Sequence, residues 1–234
     1  MKIKEFNYKT APKTDSVVVL GAGRSLSKNA EQVKSYIKQN KSIVFASNYN
    51  FKNSLGIKSN YTYITDLAKF KSEIFSINSD LILPYELLNI LDFQFSNKVK
   101  NAWNNKRLNI FKVGCESKKH VYENNGILAM DDNGSFPYWS FGISGLGAML
   151  FSSLCRPSKM LVVGLDDPKP NKDYKIMYNG DRVGYGKPNK IVKVINYFEK
   201  TLVPTIHNMG IEIETFKDVG LFGLNKSKLK IKII

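Results

Sequence analysis

The fold class is indicated most clearly by residues 16–37, SVVVLGAGRSLSKNAEQVKSYI. This stretch opens with a β-branched apolar run that ends at two closely spaced glycines, Gly21 and Gly23, and such a run is typical of a buried strand. Apolar residues then recur at spacings of three and four, which predicts one face of a helix. These residues are Leu26, Ala30, Val33 and Ile37. The stretch therefore predicts a strand, a tight turn and a helix in succession.

Two more apolar segments follow at residues 41–48 and 61–66, and both are predicted strands. A strand, a helix and a second strand in this order predict a right-handed βαβ unit with parallel strands. Residues 144–154 are small or apolar on nearly all sides and predict a buried helix, and residues 159–167 begin with another interior strand. The predicted fold class is α/β, with a mainly parallel sheet flanked by helices.

The rest of the chain gives weaker signals. Residues 79–93 predict a strand and then a helix that starts near Pro84, and residues 168–190 predict a long polar loop. An amphipathic helix is predicted up to Leu202, with Pro204 as its stop. Strands are predicted at residues 211–216 and at residues 228–234. The last segment is either an edge strand whose lysines oppose aggregation or a basic strip that touches a membrane.

Length and composition predict one domain over residues 1–234. The chain is 43% hydrophobic and 24% charged, which is the usual balance of a soluble folded protein. The first residues lack the apolar core of a secretory signal. The longest nearly apolar run, residues 141–155, is shorter than the roughly 20 residues that span a bilayer. The sequence therefore predicts a cytoplasmic protein without a transmembrane segment, with Cys115 and Cys155 as buried free thiols.

The net charge of +15 predicts attraction to polyanions such as nucleic acid, anionic lipid or phosphorylated substrates. The excess consists of lysine, because the chain has 31 lysines and only four arginines. Arginine is the residue that binds phosphate in a bidentate way. Two interpretations stay open: a generically basic surface, and a dedicated surface for nucleic acid.

Candidate binding residues lie where predicted strands end. The first group is the turn with Gly21, Gly23, Arg24 and Ser25, and the second is Ser144 with Gly145 at the start of the buried helix. The third is the set of polar residues after strands, Asn48, Asp66 and Asp166. Ligands of open α/β sheets bind beyond the carboxyl ends of the strands, and helix N-termini there attract anions. Tight turns and close helix packing are the alternative explanations for the same residues.

Five segments together resemble a known family. They are VVVLGAGRSL, IVFASNYNF, GISGLGAML, KMLVVGLDD and RVGYGKPNKIVKVINYFEKT, within residues 16–203. Their order and spacing resemble the bacterial sialyltransferases that build lipooligosaccharide ends. Phage glycosyltransferases and hydroxymethylpterin diphosphokinase-like proteins share the opening motif. The resemblance implies a single Rossmann-like domain that uses a nucleotide-activated sugar and requires no metal.

The resemblance also implies roles for individual residues. Gly21, Gly23 and Ser25 would line the donor phosphate, Asn48 would contact the nucleotide, and Ser144 with Gly145 would hold the nucleotide or its sugar. Three positions depart from the family pattern: Ala22 stands where Asn is frequent, Arg24 where Pro is usual, and Tyr185 where the family has its catalytic histidine. Arg24 is a cation that could face a phosphate.

Sugar transfer needs a base for the acceptor hydroxyl and a cradle for the leaving phosphate. We expect Asp66 to be the base, because tyrosine with its usual pKa near 10 is a poor one. Tyr185, with Arg182 and Lys187 beside it, is expected to stabilise the leaving phosphate, and Asp166 to contact the donor. His207 is expected to be structural.

The predicted function is a glycosyltransferase with a nucleotide sugar as co-substrate and no tightly bound cofactor. The need for a divalent metal stays open. The acceptor is either a surface glycan or a hydroxymethylated base in DNA. The alternatives are a pterin-type diphosphokinase that uses ATP and Mg²⁺, and a non-catalytic module that binds nucleotides or DNA.

Overall fold

The computed structural model describes residues 3–21, 23–47, 55–64, 74–84, 93–113, 144–166 and 195–234. These residues form one nine-stranded sheet in which every neighbouring pair of strands is parallel. The strands are β1 (Lys4–Glu5), β2 (Ser16–Leu20), β3 (Ile43–Ser47), β4 (Tyr61–Tyr63), β5 (Asp80–Pro84), β6 (Ile110–Val113), β7 (Lys159–Val163), β8 (Glu212–Thr215) and β9 (Lys232–Ile233).

Helices flank this sheet. They are α1 (Arg24–Lys28), α2 (Ala30–Asn40), α3 (Phe93–Asn105), α4 (Ser144–Ser153) and α5 (Val203–Asn208). A π-helical turn (Phe198–Leu202) precedes α5, and short 3-10 turns lie at Ile74–Ser76 and Leu221–Gly223. An all-parallel sheet flanked by helices is a Rossmann-like α/β architecture. The predicted fold class is therefore confirmed.

The strand order is β1-β6-β5-β4-β3-β2-β7-β8-β9. From β2 the chain first adds strands β3 to β6 on one side, and then moves to the other side of β2 to add β7, β8 and β9. The point at which the order reverses therefore lies between β2 and β7. In open parallel sheets, this topological switch point opens a crevice at the carboxyl ends of the two strands.

The two strands at the switch point are almost completely buried, which explains their continuous apolar sequence. All five residues of β2 are buried, as are Met160 to Val163 of β7. Each β2 residue has a partner in β7, from Ser16 with Lys159 to Leu20 with Val163. A strand covered on both faces and both edges does not alternate between apolar and polar side chains.

Four features of the fold differ from the sequence prediction. The helix predicted after Gly23 is two helices, because the backbone breaks at Asn29 between α1 and α2. Pro204 does not stop its helix: the helical backbone runs from the π-helical turn directly into α5, and Pro204 is the second residue of α5. The short edge strand β1 and the helix α3 were not predicted. Helix α3 carries Trp103, the largest fully buried side chain of a second apolar cluster.

Other predictions are confirmed where the structure describes the residues. Cys155 is a buried free thiol, and burial raises its pKa to about 12. The ring of His207 lies between the carbonyl oxygens of Ile211 and Leu229, at 3.2 and 3.0 Å from its two nitrogens. Strand β9 is the edge strand predicted at the C-terminal end. Among the described residues, no helix combines the length and the apolar character needed to cross a bilayer.

Candidate functional site

The turn after β2 is joined to the loop after β7 by four hydrogen bonds. The N–H of Gly21 donates to the carbonyl of Val163 over 2.8 Å, and the N–H of Gly23 donates to the carbonyl of Gly164 over 2.8 Å. In return, the N–H of Gly164 donates to Oγ of Ser25 over 3.0 Å. The N–H of Ser25 donates to Oδ2 of Asp166 over 2.7 Å. These bonds connect the two loops at the switch point.

Close approach of the two loops requires glycine in the first one. A Cβ added to Gly21 would lie 2.6 Å from the carbonyl carbon of Gly164 and 2.7 Å from Cδ2 of Leu165. A Cβ added to Gly23 would lie 2.7 Å from the carbonyl oxygen of Gly164 and would meet the carboxylate of Asp166. Real Cβ atoms essentially never come this close to other heavy atoms. Both glycines therefore serve loop packing in this structure.

The carboxylate of Asp166 accepts a hydrogen bond from the N-terminal turn of α1. Its Oδ2 accepts the N–H of Ser25, and its Oδ1 accepts the N–H of Gly220 over 3.4 Å. Asp166 is half-buried, whereas Ser25 is buried. A carboxylate at this position is favourable, because a helix N-terminus carries partial positive charge. Asp166, which is predicted to contact the donor, therefore stabilises the turn after β2 that is expected to bind phosphate.

The start of α4 lies at the same edge of the sheet as the turn after β2. A Cβ added to Gly145 would collide with the Leu165 side chain and would lie 3.8 Å from Oγ of Ser47, the last residue of β3. The Leu165 side chain is also the neighbour of Gly21. Ser144 is only 3% exposed. The structure therefore brings the two predicted corners together around one side chain, although they are more than 120 residues apart in the sequence.

The loop after β8 also belongs to this site, and it was not predicted from the sequence. Besides Gly220, it contributes Asp218, whose Oδ1 accepts from Nδ2 of Asn29 over 2.8 Å. Phe222 donates its N–H to the carbonyl of Leu165 over 3.3 Å and has a left-handed backbone with φ of 59°. The available signal was topological, because a loop after a strand next to β7 reaches the same edge.

The charges near this loop influence one another. Burial lowers the pKa of Lys226, while the carboxylates of Asp218 and Asp166 act in the opposite direction. The Nζ of Lys226 donates hydrogen bonds to the carbonyl oxygens of Phe216 and Lys217, over 3.1 and 2.7 Å. A cation is thus held near the two carboxylates of the site.

Seven of the predicted site residues lie in the described part of the chain, all at this edge. They are Gly21, Gly23, Arg24, Ser25, Ser144, Gly145 and Asp166. Arg24 is exposed at the first position of α1. The predicted base Asp66, the leaving-group residue Tyr185, and Asn48 and Arg182 lie outside the described residues. Within the described residues, His, Cys, Asp and Glu side chains form no group of three or more that could hold a metal ion.

Comparison of the chain with protein-family models and with curated proteins gave no match. A functional assignment therefore depends on the geometry at the switch point and on the sequence motifs that form it.

Proposed function

We propose that this protein is a glycosyltransferase that moves a sugar from a nucleotide-activated donor to an acceptor hydroxyl. One observation carries the proposal: the turn after β2 and the start of α4 meet around Leu165 at the topological switch point. This is where parallel α/β sheets bind nucleotides. The motif resemblance over residues 16–203 adds the class of reaction.

The hydrogen bonds of Asp166 define how the donor would lie. Because the Asp166 carboxylate accepts the N–H of Ser25, a phosphate inside that turn would meet a negative charge. We therefore place the donor phosphates at the start of α4, beside Ser144 and Gly145, with Arg24 as the nearby cation. The N-terminus of a helix also attracts anions through its partial positive charge. A carboxylate has about four acceptor positions, so Asp166 can still accept from the ribose hydroxyls.

A thermal-shift panel with CMP, UDP, GDP and ATP, each with and without Mg²⁺, tests the proposal. We expect one pyrimidine or guanine nucleotide to raise the melting temperature, and the corresponding nucleotide sugar to be consumed when an acceptor is added. Glycans and hydroxymethylated DNA serve as the two acceptors. A response to ATP that requires Mg²⁺ and transfers diphosphate, or no response to any nucleotide, would overturn the proposal.

Two exposed cations of α1 provide a matched pair of variants. Arg24 lies at the start of the helix, at the proposed site, whereas Lys28 lies at its last position, one turn away. We expect Arg24→Gln to weaken nucleotide binding about tenfold, because it removes a charge-assisted contact to phosphate. Lys28→Gln should leave the affinity within about twofold. Equal effects of the two substitutions would mean that Arg24 attracts the donor only through its general charge.

A further inference from the structure

Four basic residues in the described part of the chain occupy left-handed backbone positions. They are Lys41, Arg107, Arg156 and Lys230, with φ of 49°, 56°, 51° and 54°. A left-handed conformation costs an L-residue about 1 to 2 kcal/mol, and glycine usually takes such positions. Two of the chain's four arginines are among these residues. The chain thus retains basic side chains at positions where they have an energetic cost.

The end of α5 shows that glycine fits the same kind of turn. After α2, the N–H of Ser42 donates to the carbonyl of Ile37 over 3.1 Å, and the left-handed residue is Lys41. After α5, the N–H of Ile211 donates to the carbonyl of Ile206 over 3.3 Å, and the left-handed residue is Gly210. The two turns have the same hydrogen bond over five residues, as in a Schellman motif. Turn geometry alone therefore does not explain the lysine.

These basic residues share a location, the edge where strands begin. Within the described residues, an exposed Lys or Arg lies two or three positions before the first residue of six strands. They are Lys13 before β2, Lys41 before β3, Lys58 before β4, Arg107 before β6, Arg156 before β7 and Lys230 before β9. Because all strands are parallel, their beginnings lie along one edge. From β6 to β9, this basic edge covers seven strand spacings, or about 34 Å.

Among the described residues, the basic edge has more positive than negative charges, six against three. None of its six side chains forms an ion pair with a carboxylate of the described residues. Three described carboxylates lie at or just before the first residue of a strand. Of these, Asp80 accepts two hydrogen bonds from Asn109 and Glu212 pairs with Lys232, while Asp15 is exposed.

We propose that the basic edge binds the phosphate backbone of a nucleic acid duplex without reading its sequence. A duplex carries one negative charge per about 1.7 Å of its axis, and its helical turn of about 34 to 36 Å matches the length of the basic edge. A lipid surface fits less well. Binding strength at a membrane also depends on buried apolar area, and among the exposed large apolar side chains of the described residues only Phe75 lies in a turn that precedes a strand. This inference goes beyond the proposed transfer reaction, whose donor site lies at the opposite edge.

Two triple variants test the basic edge. The first combines Lys41→Gly, Arg107→Gly and Lys230→Gly, which removes three charges and also relieves three left-handed side chains. The control combines Lys98→Gln, Lys200→Gln and Lys217→Gln, which removes three exposed charges that do not precede strands. Circular dichroism and urea denaturation of both variants establish that they are folded. Their net charges are equal, so a difference between them reports position rather than total charge.

Fluorescence anisotropy with labelled duplexes of two unrelated sequences, between 50 and 200 mM salt, gives affinity and salt dependence. We expect the wild type to bind both sequences equally. Each phosphate contact contributes about 0.9 to the slope of log affinity against log salt. The edge variant should therefore lose about 2 to 3 from that slope and at least about tenfold in affinity, while the control keeps both within error.

Equal losses in the two variants would overturn the proposal, as would wild-type binding to anionic lipid vesicles but not to duplexes. Binding to a DNA or an RNA duplex of the same sequence would support it. The duplex with the higher affinity identifies which nucleic acid the basic edge binds. Nucleotide binding in the thermal-shift panel is independent of this result. A failure of the basic edge therefore leaves the donor site unaffected.

Discussion

The turns at the two edges of the sheet differ in the residues that occupy them. At the carboxyl edge, Gly21 and Gly23 let two loops touch and interlock, and any side chain would break the contact. At the amino edge, Lys41 and Arg107 stand where glycine would be easier, and their side chains remain exposed. The glycines of the carboxyl-edge turn therefore serve packing, whereas the basic residues in left-handed turns of the amino edge keep charge on the surface.

The largest expected effect is the loss of stability in Gly21→Ala. The new Cβ would overlap with the backbone of Gly164 in the buried centre of the sheet. We expect the free energy of unfolding to fall by about 3 kcal/mol, as for overpacked cores, measured by urea denaturation. The control is Gly210→Ala, whose Cβ meets nothing within 4 Å. Gly210→Ala should cost about 1 kcal/mol of unfolding free energy from its left-handed backbone alone. Equal losses in Gly21→Ala and Gly210→Ala would contradict the tight packing of the turn after β2 against the loop after β7.

The next effect concerns Asp166. Asp166→Ala removes the acceptor of the Ser25 N–H at the start of α1, so we expect a loss of about 2 kcal/mol in unfolding free energy. Asp166→Asn keeps an acceptor oxygen and should recover about half of it. If Asp166 also contacts the donor, Asp166→Asn will weaken nucleotide binding more than it weakens the fold. Full recovery of both properties by asparagine would show that the negative charge has no role.

A smaller effect is the pH dependence caused by Glu214. Burial alone would raise the pKa of this carboxyl, but hydrogen bonds from Tyr36 and Lys232 outweigh burial and hold the pKa below its usual range. Tyr36 donates over 2.5 Å, and burial followed by the bond to Glu214 raises the pKa of its hydroxyl, so it remains a donor. A lowered folded pKa stabilises the protein above the unfolded value of about 4.3. This stabilisation is lost as the pH falls from there through the folded pKa.

We therefore expect Glu214→Gln to reduce acid sensitivity. Between about pH 5 and pH 3, the wild type should lose about 1 kcal/mol more unfolding free energy than the variant, measured by denaturation at each pH. The control is Glu212→Gln, which removes another carboxylate paired with Lys232 but at a half-exposed position. A Glu212 effect as large as that of Glu214 would assign the acid sensitivity to Lys232 rather than to the buried bond.

The smallest expected effect concerns the left-handed residue Lys41 at the amino edge. Lys41→Gly removes a left-handed side chain but increases the entropy of the unfolded chain, so we expect a gain of about 0.5 kcal/mol in unfolding free energy. The reverse change, Gly210→Lys, should destabilise by a similar or larger amount. A clear loss of stability in Lys41→Gly would mean that this lysine is retained for folding rather than for its surface charge.

The sequence predicted those parts of the fold in which residue pattern decides structure. The buried strands β2 and β7 and the helix α4 have continuous apolar sequences, and each was found where expected. The edge strand β1 was missed because its two residues, Lys4 and Glu5, are polar and exposed. The prediction that Pro204 ends its helix was wrong, because its place within a helix depends on the preceding π-turn, which no propensity scale describes.

The candidate site was predictable in position but not in its internal contacts. Strand ends and small-residue turns placed Gly21, Ser144 and Asp166 at one edge, because parallel strands end together. The bond from Ser25 to Asp166 spans 141 residues in the sequence. No local pattern encodes such a pairing, so a residue expected to bind donor proved to hold the turn. The loop after β8 was missed for the same reason.

Hydrogen–deuterium exchange with and without the nucleotide found in the thermal-shift panel tests most directly whether the carboxyl edge at the switch point binds the nucleotide. If it does, we predict slower exchange in peptides that cover residues 21–26 and 144–149. Exchange should be unchanged in peptides that cover residues 38–43 and 105–110 at the opposite edge. Protection confined to the amino edge, or nucleotide binding that leaves both carboxyl-edge peptides unchanged, would contradict the proposed donor site.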